Sequence, residues 1–332
     1  MILAGDIGGT NARLAFFESE NGSLRVISEH VFPSRQYKEF DQIVSQFLKE
    51  SAARPEIACY GIAGPVRDGR VVTSNLPWTI DQARLADETH LSSTFLMNDL
   101  EAAAWGIGAL GRGDLTPLNR VAGTVGNQAV IAPGTGLGEA GLFWDGSKHH
   151  VFACEGGHTD FAPQGPLQIE LLQFLTKRYG HVSYERILSG PGLVNVYEFL
   201  RQNERQNEKA SGVTPQGTQE DAAAISQAAL NGSDSIAVQA LDLWLSVYGA
   251  EAGNLALKTM AVGGIYLGGG ISPKILSKLA ASTFVNAFLE KGRLRPLLES
   301  IPVQVITNDK AGLLGAARYA AAKCNAVPAG AS

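Results

Sequence analysis

Two short turns rich in glycine and threonine are the first segments whose composition favours chemistry. Glycine lets backbone amides approach a phosphate closely, and a threonine hydroxyl can donate a hydrogen bond to a phosphoryl oxygen. Each turn is therefore a candidate phosphate loop, although a plain hairpin turn would explain either one alone. The turns contain Gly8, Gly9, Thr10 and Asn11 in the first case and Gly134, Thr135 and Gly136 in the second.

Neither turn has the pattern of the common nucleotide-binding motifs. No Gly-Lys-Ser/Thr follows either turn, which excludes a Walker A loop. Each turn continues into a strand candidate and does not open a helix, which excludes a dinucleotide fingerprint. Asp6 ends the strand before the first turn, so its carboxylate could help to hold Mg²⁺ through water, as this hard cation prefers. Capping of the turn is the alternative role for Asp6.

A third glycine cluster follows a strand candidate near the C-terminal end. It precedes Ser272 and Pro273, which we interpret as a helix N-cap and first helical position. Such a turn could let the adenosine part of a nucleotide lie against the backbone, and a plain strand-to-helix connection is the alternative. The cluster consists of Gly268, Gly269 and Gly270.

Asn98 and Asp99 lie between a strand candidate, residues 94–97, and the start of a predicted helix at Leu100. Ligand clefts in α/β folds lie at the carboxyl ends of strands. A carboxylate there can accept the proton of an attacking hydroxyl, the base role that phosphoryl transfer to an alcohol uses. The alternative is that Asp99 caps the helix, a frequent role of aspartate.

Glu155 and His158 flank two glycines, and Glu185 follows within a Tyr-Glu-Arg segment. Several fixed donors and acceptors of this kind suit the hydroxyl groups of a sugar, and an ionised carboxylate accepts such bonds strongly. A metal site is the competing interpretation of Glu155 and His158, but no third ligand stands at metal-binding spacing. An isolated surface charge is the alternative for Glu185.

The composition indicates a small-molecule enzyme more than a nucleic-acid or membrane protein. The net charge is −5, without the clustered Lys and Arg that nucleic acid or an anionic membrane would need. No apolar run approaches the ~20 residues that span a bilayer. Three cysteines do not suggest a disulfide framework, and we expect a cytoplasmic protein.

The elements that must position these residues form an approximate repeat. An apolar run, a Gly/Thr turn and a second apolar run occur at residues 2–17 and again at 129–143, and both copies are predicted hairpins. Further strand and helix candidates follow each copy, so we predict two α/β lobes. The smaller lobe comprises residues 1–108 plus 304–332, and the larger comprises 109–303. We expect surface loop at residues 201–218 and a frayed end at 325–332.

Taken together, these segments resemble the bacterial ATP-dependent glucokinase family of the hexokinase and actin-like superfamily. The long runs EGGHTDFAP and GHVSYERILSGPG are much more specific than any glycine turn. The matching segments span nearly the whole chain; they are residues 5–14, 98–99, 134–138, 155–163, 180–192, 267–271 and 312–315. The segment 201–218 departs from the family pattern, as do Leu100, Glu101 and Cys154.

The resemblance implies a two-lobed ribonuclease-H-like fold with mixed sheets and an interlobe cleft. It implies transfer of the γ-phosphoryl group of Mg·ATP to the 6-hydroxyl of D-glucose, in glycolysis, by a homodimer. Asp99 would be the general base, and the hydroxyl ligands would be Asn98, Asp99, Glu155, His158 and Glu185.

Two other functions stay open at this point. A site for glucose hydroxyls could also accept mannose or fructose. A non-catalytic sugar sensor on the same fold would need an appended DNA-binding or partner-binding segment, and we expect none because the first strand candidate begins at Ile2. The related sugar kinase and repressor group carries a cysteine-rich zinc motif, and no such cluster of cysteines occurs here.

Overall fold

The computed structural model describes residues 1–20, 23–51, 53–73, 76–91, 93–207 and 222–326. It divides into two compact units: unit 1 comprises Met1–Asp114 and the chain from Asn308, and unit 2 comprises Leu115–Thr307. The sequence-based limits, at 108/109 and 303/304, lie a few residues earlier at both crossings. Within the described ranges, no helix has the length and apolar character needed to cross a bilayer.

Unit 1 contains a mixed sheet in the order β3-β2-β1-β4-β7 and a separate β5-β6 ribbon. The three strands β3, β2 and β1 pair antiparallel, whereas β1, β4 and β7 pair parallel. The strands are β1 (Ile2–Ile7), β2 (Asn11–Glu20), β3 (Ser23–Pro33), β4 (Ile57–Ile62), β5 (Arg70–Val72), β6 (Thr79–Asp81) and β7 (Ser93–Asn98). The helices are α1 (Phe40–Glu50), α2 (Gln82–Thr89), α3 (Asp99–Ile107) and, from the C-terminal end of the chain, α11 (Ala311–Ala326).

Helices cover both faces of the sheet in unit 1. All six residues of β4 are buried, the pattern of a parallel strand that is covered on both sides. One core includes Phe40 and Phe47 of α1, and the other includes Leu313 of α11. Close packing of α11 on α3 depends on small residues, because a Cβ on Gly315 would lie 1.7 Å from the carbonyl oxygen of Ala102.

Unit 2 is built on a second mixed sheet, in the order β11-β10-β9-β12-β13-β8. Its strands are β8 (Leu115–Pro117), β9 (Gln128–Pro133), β10 (Leu137–Trp144), β11 (His149–Cys154), β12 (Gly264–Leu267) and β13 (Val303–Ile306). Its helices are α4 (Gly165–Tyr179), α5 (Gly190–Asn207), α6 (Ala222–Asn231), α7 (Ser235–Thr259), α8 (Leu276–Leu279), α9 (Ser282–Leu289) and α10 (Arg295–Glu299). The N-cap of the central helix α7 is Asp234, whose carboxylate accepts hydrogen bonds from the amides of Ile236 and Ala237.

The two sheets share one pattern of pairing. In unit 2, β9, β10 and β11 pair antiparallel and β9, β12 and β13 pair parallel, as β1, β2, β3, β4 and β7 do in unit 1. Unit 2 adds β8, which pairs antiparallel with β13 and was not predicted. The predicted repeat, the two hairpins and the α/β class with mixed sheets are therefore confirmed.

Three local predictions need correction. The segment predicted as loop at 201–218 begins as helix, because α5 continues to Asn207, and residues 208–218 lie outside the described residues. The predicted frayed end at 325–332 begins as the last residues of α11, and residues 327–332 are likewise outside. The third correction concerns β13, which pairs with β12 and β8, so that residues 304–306 belong to unit 2.

Candidate active site

The first glycine turn joins β1 to β2 in unit 1 and is closed by its own backbone. The amide of Gly8 donates to the carbonyl oxygen of Asn11, at 2.9 Å. Ser34 supports the turn twice, because its amide donates to the Thr10 carbonyl and its hydroxyl donates to the Gly8 carbonyl, both at 2.9 Å. Thr10 and Asn11 stay exposed. These hydrogen bonds hold the turn in place while the Thr10 side chain stays exposed to solvent.

Asp6 lies at the end of β1, opposite Arg13 of β2. Burial raises the pKa of Asp6 to about 6, although the charge of Arg13 lowers it in part. Arg13 is itself engaged by Asp309, with Nη2 and Oδ2 2.8 Å apart. A Cβ on Gly312 would lie 3.2 Å from Asp6 Oδ2, so the start of α11 packs directly against this carboxyl group.

Asn98 and Asp99 lie where β7 passes into α3, as predicted. The N-cap is Asn98, whose Oδ1 accepts hydrogen bonds from the amides of Leu100 (2.8 Å) and Glu101 (3.4 Å). Its Nδ2 donates to the Gly64 carbonyl at 3.1 Å. Asp99 is the first helical residue, and its Oδ1 also accepts from the Leu100 amide, at 2.9 Å. Because Asn98 caps α3, the helix does not depend on Asp99 for that role.

Strand register places these two parts of unit 1 at one edge of its sheet. Ile7 pairs with Ile62 and Ile62 pairs with Asn98, all in parallel strands. The carboxyl ends of β1, β4 and β7 therefore meet at the same edge. This common edge carries both the first glycine turn and Asp99.

The second glycine turn joins β9 to β10 in unit 2. Its Gly134 amide donates to the Gly136 carbonyl at 2.8 Å, and the Gly134 carbonyl accepts from the amide of Gly190, also at 2.8 Å. Gly190 begins α5, a helix of 18 residues. The next residue, Pro191, has no amide hydrogen, and the amides of Gly192 and Leu193 donate to Ser189, so the start of α5 supports the turn and does not offer free amides to an anion.

A cavity of about 490 Å³ opens next to this turn. Its walls are mostly apolar, with a few polar groups, as is usual for small-molecule sites. Gly134, Thr135 and Gly190 line it, together with Leu193 of α5, Trp244 of α7 and Ile271. The start of α5 was not predicted to line a site. Its residues 190–192 belong to the segment 180–192 that matches the family pattern, and that match could have indicated this side of the cavity.

The predicted Gly268, Gly269 and Gly270 follow β12 and lead to Ile271 at the cavity. Gly269 has φ +76°, and a Cβ there would lie 2.5 Å from the Pro133 carbonyl oxygen, so only glycine suits this turn. The predicted N-cap role of Ser272 is wrong. Ser272 is inside the short 3-10 helix Ser272–Ile275 and fully buried, and its hydroxyl is hydrogen-bonded to that of Tyr248 at 3.1 Å.

Glu155 and His158 come together in a tight turn after β11. Residues Gly156–His158 form one turn of 3-10 helix, in which the His158 amide donates to the Glu155 carbonyl at 3.0 Å. His158 Nε2 lies 4.0 Å from Glu155 Oε2. At that distance the two groups form no hydrogen bond, so this contact leaves the lone pairs of the carboxylate available to another donor.

Glu185 reaches the same place from the 3-10 turn Tyr184–Arg186. Its Oε1 lies 4.0 Å from His158 Nδ1, and its Oε2 accepts from the Leu137 amide at 2.9 Å. A Cβ on Gly136 would lie 2.4 Å from this Oε2, so the second glycine turn and Glu185 are packed together. The amide of Tyr184 donates to the Thr159 carbonyl at 3.1 Å, which ties the two 3-10 turns. Unit 2 therefore places Glu155 and Glu185 on either ring nitrogen of the His158 imidazole.

The donor set fits a weakly held Mg²⁺ ion better than a resident metal. Among the described residues, no three His, Cys, Asp or Glu side chains are grouped so as to hold a metal ion. Mg²⁺ commonly keeps several waters and binds through one or two carboxylates plus substrate phosphates, so it needs no cage of protein ligands. Asp6 meets this requirement, because burial raises the pKa of its carboxyl group and a nearby cation would stabilise the ionised form.

Comparison with known proteins agrees with this arrangement. A family model described as glucokinase matches residues 3–323. A glucokinase of Trichormus variabilis is 42% identical over 341 residues, covering 97% of this chain and 99% of that relative. The crystal structure of a glucokinase from an Antarctic psychrotroph has a TM-score of 0.85 at 31% identity, covering 97% of this chain and 98% of the other.

A more distant structure extends the likeness of the fold. A glucokinase from Balamuthia mandrillaris, solved in complex with glucose, has a TM-score of 0.77 at 23% identity and covers 96% of this chain and 93% of the other. The predicted ribonuclease-H-like, actin-like fold class is confirmed by these neighbours. By family model, sequence identity and fold, the chain belongs to the glucokinase family.

Proposed function

We propose that this member of the glucokinase family transfers the γ-phosphoryl group of Mg·ATP to the 6-hydroxyl of D-glucose, with Asp99 as the general base. The observation that carries the proposal is the position of His158, 4.0 Å from both Glu155 and Glu185. One imidazole between two carboxylates offers several donors and acceptors in a small space. A sugar with neighbouring hydroxyls matches that set.

In the sugar site, Glu155 and Glu185 accept hydrogen bonds from hydroxyls, and His158 lies against both. The Glu155 side chain is 70% exposed, so a ligand can reach it. Glu185 is held by the Leu137 amide and keeps its Oε1 for a hydroxyl. The Asn98 amide nitrogen has a second hydrogen beyond the one on the Gly64 carbonyl, which it can give to the sugar.

Asp99 accepts the proton of the attacking 6-hydroxyl in this mechanism. The alternative role, helix cap, is filled by Asn98, so the assignment of Asp99 as the base does not compete with capping of α3. A base of ordinary carboxylate strength suffices, because phosphoryl transfer depends mainly on positioning and electrostatic stabilisation.

The nucleotide is bound by the glycine turns and the cavity of unit 2. Thr10 and Thr135 donate hydroxyl hydrogen bonds to phosphoryl oxygens, each from its own turn, and the glycines of these turns (Gly8, Gly9, Gly134 and Gly136) let a phosphate approach the backbone closely. The apolar cavity beside Gly134, Gly190 and Ile271 takes the adenosine part, next to the turn formed by Gly268, Gly269 and Gly270. Asp6 would hold Mg²⁺ through water, and the ion would supply positive charge against the phosphates.

The cellular setting belongs to the same proposal. Three unpaired cysteines, two of them exposed, suit the reducing cytoplasm, where a glucokinase feeds glycolysis. The family resemblance supports a homodimer. Light scattering of the purified protein measures its mass directly, and a mass equal to one chain at micromolar concentration would contradict the dimer.

The function is tested by ADP release across a panel of hexoses with the wild type and Glu155→Gln. We expect glucose to be the preferred acceptor. Replacing the charged acceptor by a neutral amide should lower kcat/KM for glucose about tenfold, since a hydrogen bond to a charged group contributes roughly 1.5 to 3 kcal/mol. Glu170→Gln is the matched control because Glu170 is an exposed glutamate of unit 2. A decrease below threefold for Glu155→Gln would show that this ligand assignment is wrong.

A further inference from the structure

Two buried glutamates lie behind the sugar site and have no part in the chemistry described so far. Glu139 of β10 is 2% exposed and Glu251 of α7 is fully buried. Burying a carboxylate is costly unless it is paired or neutral, so such a pair needs a physical explanation. Each glutamate contacts, directly or through one side chain, one of the two turns that carry the proposed sugar ligands.

Glu251 is the paired member. Its Oε1 accepts from Lys258 Nζ at 3.2 Å, and its Oε2 accepts from Asn254 Nδ2 at 2.7 Å. Lys291 supports the group from the other side, because its Nζ donates to Asn254 Oδ1 at 2.6 Å and to the Ala250 carbonyl at 2.9 Å. Lys258 thus pairs with Glu251 directly, and Lys291, which reaches Asn254, interacts with Glu251 through its charge alone.

Asn254 connects Glu251 to the turn that holds Glu185. The second hydrogen on Asn254 Nδ2 goes to the Tyr184 hydroxyl, at 3.0 Å. Tyr184 is buried and is the residue before Glu185. The position of Glu185 is thereby linked to the state of Glu251 through one amide and one phenol.

Glu139 is the unpaired member, and it lies against the other turn. A Cβ on Gly156 would be 1.8 Å from Glu139 Oε2, so the backbone between Glu155 and His158 rests directly on this carboxyl group. Among the described residues, Glu139 Oε1 has no hydrogen-bond partner. A buried carboxylate without a partner is much less stable than the neutral acid.

The surroundings of Glu139 determine its charge. Burial raises its pKa to about 8, the negative charge of Glu251 raises it further, and Lys258 lowers it. The Cys154 thiol, opposite Glu139 in the β10–β11 pairing, and the Tyr248 hydroxyl also interact with this charge, and burial raises the pKa of Cys154 too. Glu139 is therefore mostly a neutral acid at pH 7 and becomes charged as the solution turns alkaline.

We propose that Glu139 and Glu251 are a positioning pair for sugar binding, in which protonated Glu139 supports the Gly156–His158 turn and Glu251, paired with Lys258, holds Tyr184 through Asn254. Loss of the Glu139 proton places a second negative charge beneath Gly156, near Glu251. A buried carboxylate is stabilised by hydration, and water can reach it only if the Gly156–His158 turn moves. Glu155 and His158 then leave their places, and glucose binding weakens.

This inference rests on the proposed sugar ligands and adds a regulated support beneath them. It predicts an effect on KM more than on kcat, because neither Glu139 nor Glu251 touches the reacting atoms. A merely structural role would change stability at every pH without an alkaline transition in KM. The pH profile of KM separates these two roles.

The test measures KM for glucose and kcat from pH 7 to 9.5 in the wild type and in Glu139→Gln. We expect the wild-type KM to rise at least about fivefold and kcat at saturating glucose to change less than twofold. Glu139→Gln keeps a neutral side chain of the same size, so its KM should change less than twofold over this range. A constant wild-type KM, or an equal rise in Glu139→Gln, overturns the proposal. Glu139→Met, also neutral and similar in length, replaces Glu139→Gln if the latter does not fold.

Cys154→Ser is the control for the neighbouring acid. The thiol also loses its proton in alkaline solution, but replacing it should leave the rise in KM in place. Disappearance of the rise in Cys154→Ser would assign the effect to the thiol and overturn the proposal.

Glu251→Gln tests the coupling within the pair. It removes the charge that raises the pKa of Glu139 and leaves the cation of Lys258, so the rise in KM should move by about one unit to lower pH. A rise at unchanged or higher pH contradicts the coupling. Glu155→Gln in the same series separates the two proposals: if it binds glucose like the wild type, the ligand assignment fails, and if it binds weakly while wild-type KM stays constant with pH, only the positioning pair fails.

Discussion

The two units share a strand order but place their buried carboxylates in different electrostatic surroundings. In unit 1, Asp6 faces Arg13, and its pKa rises only to about 6. In unit 2, Glu139 faces Glu251, and its pKa rises to about 8. Burial raises both pKa values; the charge of Arg13 limits the rise at Asp6, whereas the charge of Glu251 adds to the rise at Glu139. At pH 7, Asp6 is therefore mostly ionised and suits a cation, whereas Glu139 is mostly neutral and suits packing under a backbone turn. In the proposed function, the first carboxyl group helps to hold Mg²⁺ and the second supports the turn that carries Glu155 and His158.

If unit 1 supplies the base and unit 2 the sugar site, a change in unit 1 should lower kcat with little effect on glucose binding. Asp99→Asn keeps size and hydrogen bonding but removes the base, so kcat should fall at least about a hundredfold. Because Asn98 caps α3, stability should change little. ADP release gives kcat and calorimetric titration gives glucose affinity.

Asp87→Asn, at an exposed aspartate of unit 1, is the control for this prediction. An Asp99→Asn protein that retains more than about a tenth of wild-type kcat would refute the assignment of Asp99 as the base.

The corresponding change in unit 2 should raise KM and leave kcat nearly unchanged. Gly136→Ala introduces a methyl group 2.4 Å from Glu185 Oε2, which must displace this proposed ligand. We expect KM for glucose to rise about tenfold, the value of one charge-assisted hydrogen bond. Gly113→Ala is the control, because its methyl group would meet nothing within 4 Å and this exposed glycine has no proposed role in binding. Equal KM values for the two variants would refute the close packing of Gly136 on Glu185.

The charge of Asp6 should appear in the pH dependence of nucleotide use. Its pKa in the folded protein is about 6, so the carboxylate is ionised above that pH and is neutralised below it. Between pH 7.5 and 5.5 we expect kcat/KM for Mg·ATP to fall about fourfold, the decrease in the ionised fraction of a group with this pKa. Asp6→Asn should be less active at pH 7.5 and nearly independent of pH. A fall in Asp6→Asn as steep as in the wild type would mean that another group titrates.

The smallest effect concerns stability and Glu139. Its pKa rises from 4.5 to about 8 on folding, so the unfolded chain loses this proton first as pH increases. The free energy of unfolding therefore falls between about pH 4.5 and 8, and Glu139→Gln escapes this loss. Thermal unfolding at pH 8 should show a Tm at least about 3 °C higher for Glu139→Gln, with little difference at pH 4.5. An equal difference at both pH values would indicate a packing effect without titration.

The sequence was most informative about structural features that depend on residues close together in the chain. Both hairpins were predicted, because apolar runs around a Gly/Thr turn specify strand, turn and strand over a short range. The start of α3 was predicted at Leu100, one residue after its observed first residue, but only the contacts of Asn98 with the Leu100 and Glu101 amides showed which residue caps the helix. The Ser272 prediction failed because tertiary burial overrode a local capping preference.

Residues far apart in sequence formed the part of the site that was not predicted. Ser34 holds the first glycine turn from 26 positions away, and no local pattern identifies it. Glu139 appeared as one polar residue in an apolar strand, and its neighbours Glu251 and Lys258 lie on a helix more than a hundred positions later. The contact between Glu139 and Glu251 could not be predicted from a single sequence, because it forms only when α7 packs behind the sheet.

The sequence by itself determined the residue types, the two glycine turns, the paired hairpins and the resemblance to the glucokinase family. The tertiary structure decided which of these residues meet: Glu185 beside His158, the start of α5 beside Gly134, and Glu139 beneath Gly156. The physical reason is that local propensity acts between neighbours in the chain, whereas burial and charge act between neighbours in space. The ionisation of Asp6 and Glu139 follows from burial and charge, so their opposite states at pH 7 follow from the fold.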